Sequence, residues 1–82
     1  MTITAPMLKV LRALAAGTDM RHPTAGTVAT RDALYARGLI GKTTRTPRDA
    51  AAARVPAEVR DPSRERWTVE VTPAGRALLA NV

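Results

Sequence analysis

RWTVEVT, residues 66–72, is the stretch that alternates most cleanly between apolar and polar side chains. Trp67, Val69 and Val71 fall on one face, and Thr68, Glu70 and Thr72 on the other. That is the pattern of a half-buried antiparallel strand. No loop follows it. Thr72 can cap a helix and Pro73 suits the first helical position. TPAGRALLANV therefore reads as a helix, with Ala74, Ala77 and Leu78 as its apolar stripe. A strand that turns straight into a helix commits the chain to a mixed α and β arrangement.

A second junction runs the other way. In ALYARGLIGKTTR, residues 33–45, a helical Ala/Leu pattern reaches Gly38 and passes at once to Leu39-Ile40 and a basic, Thr-rich tail. Gly at this place ends a helix in the left-handed conformation. Residues 30–37 read as that helix, with Thr30 as its N-cap and Asp32 in its first turn. An earlier start would put Thr27, Thr30 and Arg31 on the face of Leu34, with Val28 and Tyr35 on another. That is a poor apolar stripe, so a start near Thr30 fits better, although Ala25 and Ala29 leave the longer helix open. Residues 39–45 read as a short strand.

The first helix is plain. Thr4 can cap it, Pro6 lies in its first turn, and Gly17 stands where a C′ glycine belongs. Met7, Val10, Leu11 and Leu14 recur at i, i+3, i+4 and i+7, which marks a core-facing stripe. Pro23 and Gly26 break residues 18–30, and at most a single helical turn fits between Thr18 and His22. His22 precedes Pro23 and reads as an exposed loop residue.

Residues 46–65, TPRDAAAARVPAEVRDPSRE, contain three prolines and connect the two strands. The middle has helix propensity, with Thr46 as cap and Pro47 at the first position. Two turns of helix or a mobile loop are the two readings. Twenty residues is long for a connection in a compact domain, which points to function or disorder.

The chain has 82 residues and reads as a single domain with a marginal core. It has no Phe and one Trp, so Trp67 is the expected anchor of its strand. With no Cys and one His, it lacks a disulfide framework, a thiol nucleophile and a cysteine- or multi-histidine metal site. No carboxylate pair or phosphate-cradling Gly loop suggests catalysis, and no cofactor is expected. No apolar run reaches membrane-spanning length, and the N-terminus lacks a signal-peptide pattern. The expected place is the cytoplasm.

Charge points to the partner. Thirteen Lys and Arg stand against seven Asp and Glu, a net +6. Such an excess on a small domain is a footprint for a polyanion, with nucleic acid the default. From Lys42 to Arg66 there are seven basic and four acidic side chains. Lys42, Arg45 and Arg48 come before the first acid. Further on, Arg60/Asp61 and Arg64/Glu65/Arg66 read as partly self-neutralised. A solvated charged loop is the bland account of this run.

The element order is helix, short turn, helix, strand, long connection, strand, helix: α+β and mainly helical. It resembles a winged helix–turn–helix of the MarR/PadR kind, with a shortened second helix and a long wing. LYARGLI, residues 34–40, is similar to the end of that family's recognition helix entering the first wing strand. VEVTPAGRALL, residues 69–79, is similar to its second wing strand turning into the next helix. There Thr72, Gly75, Leu78 and Leu79 match the family pattern, and Val71 takes a Leu position.

The resemblance implies a duplex-DNA-binding regulator or architectural protein. Its recognition helix would enter the major groove, with Thr27, Thr30 and Arg31 toward base edges. Tyr35 would pack. Lys42, Arg45 and Arg48, followed by Arg54 and Arg64, would meet the backbone or minor groove from the wing. The length suggests no ligand-sensing domain and no small-molecule ligand. A homodimer reading two half-sites is the expected assembly, formed through the first or the last helix. The alternative is a winged-helix adaptor that binds another protein and no DNA.

Overall fold

A computed structural model describes residues 3–82. Helix α1, Ala5–Ala15, is capped by Thr4, whose hydroxyl accepts from the Met7 N–H at 3.3 Å. It buries Met7, Val10, Leu11 and Leu14, the expected stripe. A single 3₁₀ turn, Pro23–Ala25, follows. Helix α2 is Val28–Ala36, strand β1 is Ile40–Pro47, the short helix α3 is Ala50–Ala53, strand β2 is Glu65–Val71 and helix α4 is Pro73–Ala80. The molecule is α+β and mainly helical, with one two-stranded antiparallel sheet.

The core gathers Leu11, Leu14, Leu34, Leu39, Ile40, Val69 and Val71, with Leu78 and Leu79 packed against it. Leu11 and Leu34 are fully buried, worth about 1.5–3 kcal/mol each. The two junctions seen in the sequence meet here. The Thr72 hydroxyl accepts from the Gly75 N–H at 3.1 Å, which caps α4, and donates to the Gly38 carbonyl at 2.6 Å. The Thr72 N–H donates to the Leu39 carbonyl at 3.1 Å. A Cβ on Gly75 would stand 2.3 Å from that same carbonyl oxygen. Only glycine lets α4 approach the α2–β1 turn this closely. Gly38 adopts φ +70°, which stops α2 as expected.

Several boundaries differ from the sequence expectation. Helix α2 starts at Val28, because Thr27 rather than Thr30 takes the cap: its hydroxyl accepts from the Thr30 N–H at 3.2 Å. Strand β1 runs on to Pro47, where Thr46 pairs with Arg66 and Pro47 with Glu65. That removes Thr46 and Pro47 from the helix start, and Asp49 caps α3 by accepting from the Ala52 N–H at 2.8 Å. Strand β2 begins one residue early, at Glu65. The register also slips by one residue between Ile40 and Thr43, where Gly41 and Lys42 oppose Glu70 alone. This bulge keeps both Ile40 and Thr43 on the inner face, beside Val71 and Val69.

Residues 48–64 are built throughout, from α3 and two 3₁₀ turns, Ala57–Val59 and Pro62–Arg64. They fold back on the outer end of the hairpin, and the described residues measure 43 × 21 × 18 Å overall. Among the described residues no helix is long and apolar enough to cross a membrane.

Candidate nucleic-acid interface

Two surfaces carry the residues expected to meet nucleic acid: the outward face of α2, and the hairpin with its distal lobe. On α2 the exposed positions are Val28, Ala29, Asp32, Tyr35 and Ala36. Val28 is 65% and Tyr35 64% exposed, so Tyr35 does not pack as expected. No cation stands among them. Thr27 is occupied as the N-cap, and the half-buried Thr30 shares a hydrogen bond with it at 3.1 Å. Arg31 turns back, donating from Nη1 to the Ala25 and Gly26 carbonyls at 3.1 and 2.7 Å. It closes the turn before its own helix. The three residues assigned to base edges therefore hold the helix start together.

The residues expected on a wing divide in two. Lys42, Arg54 and Arg64 are exposed, and their side chains make no hydrogen bond or ion pair among the described residues. Arg45 and Arg48 are engaged. Arg48 donates from Nη1 to the Ser63 carbonyl at 3.1 Å, and the Arg48 N–H donates to the Arg64 carbonyl at 2.9 Å. Arg45 forms an ion pair with Glu65 and lies over the Trp67 ring, 4.7 Å from its centroid.

Glu65 is the residue the sequence reading missed. It shares the inner face of β2 with Trp67, Val69 and Val71, yet it is 1% exposed. One carboxylate oxygen meets Arg45 and the other meets Arg60 at 3.4 Å. Arg60 also donates to the Ala52 and Val55 carbonyls at 3.0 and 2.7 Å. One buried carboxylate thus ties α3 and the following turns to the hairpin. The Arg45 hydrogen bond, against the cost of burial, holds the Glu65 carboxyl below its ordinary value. The expected neutralisation of Arg64 and Arg66 by Glu65 does not occur: Glu65 faces inward, and both arginines stay exposed. Nor does Asp61 neutralise Arg60, since its carboxylate caps the second 3₁₀ turn at the Ser63 N–H, 2.9 Å away.

Trp67 departs from its expected part as well. It is only half buried and lies outside the apolar cluster. Two guanidiniums lie over its ring, Arg21 at 5.2 Å and Arg45 at 4.7 Å from the centroid. Each cation over an indole face contributes about 0.5–2 kcal/mol. Its Nε1–H is buried with no hydrogen-bond partner among the described residues. The backbone of Trp67 is anchored instead, by Met20 N–H to its carbonyl at 2.7 Å and by its own N–H to the Asp19 carboxylate at 3.1 Å. Arg21 grips Asp19 through Nε at 3.0 Å and Nη2 at 2.9 Å, and reaches the Pro62 and Glu65 carbonyls at 2.8 and 2.6 Å. The Arg21 hydrogen bond is the main reason the Asp19 carboxyl lies far below its usual range.

Where residues 16–24 pass the hairpin, an open cleft of about 670 Å³ brings together Arg21, His22, Arg48 and Arg66. Of these only Arg48 was expected at a site. Among the described residues no three His, Asp or Glu side chains gather as metal ligands. No family model, curated protein or solved structure matches the chain.

Proposed function

We propose that the chain is a winged helix–turn–helix domain that binds duplex DNA mainly through its wing. The carrying observation is the contrast in free charge. Lys42, Arg54, Arg64 and Arg66 are exposed on the hairpin and its distal lobe without an acidic partner, whereas the outward face of α2 has Asp32 and no cation. The order of elements supports the fold reading, as do the glycine-stopped α2, the hairpin that follows it and the Thr72 joint. The shortened second helix corresponds to the 3₁₀ turn at Pro23–Ala25.

Binding of this kind is set by the phosphate backbone rather than by base edges. It suits an architectural factor, or a regulator that gains specificity by pairing with another subunit. The protein would act in the cytoplasm at the nucleoid, without catalysis or cofactor. The test is fluorescence anisotropy with random-sequence duplex DNA, titrated with salt. Each phosphate neutralised contributes about −0.9 to the log–log slope, so four cations predict roughly −3 to −4. Absence of binding at low salt would sink the proposal.

One observation favours a second reading, the adaptor. Val28 and Tyr35 present exposed apolar surface on α2, beside a groove that also involves Ile40 and Val69. A partner protein bound there would dissociate little with salt.

A further inference from the structure

We propose that the cleft between residues 16–24 and the hairpin is an oxyanion site for a phosphate-bearing ligand, held chiefly by Arg48 and Arg66. Both line the cleft together with Arg21, His22, Thr18 and Asp19. The charges do not cancel. Asp19 is the sole acid of the lining, and the Arg21 fork takes both its carboxylate oxygens. That leaves two guanidiniums. Arg66 has no hydrogen bond or ion pair from its side chain among the described residues, and Arg48 commits only Nη1, to the Ser63 carbonyl at 3.1 Å.

Two like charges facing one cleft repel each other, and an oxyanion between them removes that repulsion. Planar guanidinium forks match phosphate oxygens in pairs. His22 stands in the same lining, its Nδ1 within 3.2 Å of the Thr24 N–H. The cleft volume, about 670 Å³, lies within the range of small-ligand sites, so the site admits more than a lone ion. Phosphate chemistry could come from a free oligophosphate or from a nucleic-acid strand. The site does not rest on the DNA-binding proposal.

The experiment is amide chemical-shift titration of the whole chain with inorganic pyrophosphate, and separately with a short duplex. The variants are Arg48→Gln, Arg66→Gln and, as a control of equal charge change outside the cleft, Arg76→Gln on the exposed face of α4. Arg66 makes no contact that folding needs, so its variant folds. Pyrophosphate should shift the amides of Thr18, Asp19 and His22. Arg66→Gln and Arg48→Gln should each weaken binding about tenfold, the loss of one charge-assisted hydrogen bond. Arg76→Gln should change it less than about twofold. If the duplex shifts the same amides with the same dependence on Arg66, the phosphate belongs to a strand. If pyrophosphate alone does so, the ligand is a free one. Silent cleft amides with both probes would overturn the site, even if the duplex binds elsewhere. Equal weakening by Arg76→Gln would overturn it too.

Discussion

At its inner end the hairpin contributes Ile40, Val69 and Val71 to one apolar cluster with Leu11, Leu34 and Leu39. At its outer end it contributes Arg45, Glu65 and Trp67 to a polar knot with Arg21 and Arg60. The same two strands, a few residues apart, are held by different physics. The inner end rests on area removed from water, which is non-directional and shared among many side chains. The outer end rests on one carboxylate with two guanidinium partners and on an indole with two cations over its ring. A buried charge is costly once its partner is removed, so the outer end should fail at single residues and fail locally. A chain without Phe has little apolar volume to spare, and this one spends it near α1 and α2. The distal lobe is then folded with arginine, which also leaves cations on its surface.

Breaking the inner end should have the largest effect. Leu34→Ala removes a fully buried side chain and should cost about 2–5 kcal/mol. In a domain this small that lowers Tm for every probe together, read by circular dichroism and by Trp67 fluorescence. A Trp67 transition that stays put while helix signal falls early would show that the two ends are not coupled in this direction.

Glu65→Ala should separate the two regions. It strands Arg60, whose side chain is 8% exposed, without a counter-charge. Hydrogen exchange should speed up at Ala52, Ala53 and Val55, where the N–H groups now close α3 and its C-terminus, while the α1 amides keep their protection. Uniform loss across both regions would mean that the lobe and the core are one cooperative unit.

Acid is the mildest probe. The ordinary carboxyl value for Glu65 is 4.5 and its folded value is lower. Its contribution is complete above 4.5, declines as pH falls below that, and is gone once pH has passed through the folded value. Asp19, also lowered, adds a loss of the same sign. Stability should be level between pH 6 and 8 with respect to these groups. Below about pH 4 the distal amides should open before those of α1. Distal protection that survives acid better than the core would contradict the ion-pair account.

The contrast also explains what could be read from the chain in advance. The α1 stripe, the Gly38 stop, the β2 alternation and the Thr72-Pro73 start are local patterns, and all of them hold in the structure. What failed was tertiary. Thr27 and Thr30 are both good caps, and the φ of +74° at Gly26 brings the chain into Thr27 first. Arg31 looks like a free cation until the turn at Ala25-Gly26 supplies carbonyls for it. Glu65 left a signal that the reading passed over. It stands two residues before Trp67, in phase with Val69 and Val71, so period 2 put a carboxylate on the inner face. Its partners come from positions 45 and 60, and no local rule joins those to it. The cleft that joins Arg48 and Arg66 to residues 16–24 is invisible for the same reason.

The measurement that bears most directly on the proposed function compares two variants in salt-titrated duplex-DNA binding. One removes free charge from the wing, Lys42→Gln with Arg54→Gln and Arg64→Gln. The other removes the outward aromatic of α2, Tyr35→Ala. The account predicts that the wing variant binds far more weakly, with a slope shallower by roughly 3 × 0.9. Tyr35→Ala should match the wild type. Wild-type affinity and slope in the wing variant, with binding lost in Tyr35→Ala, would contradict a wing-led interface and return the contact to α2.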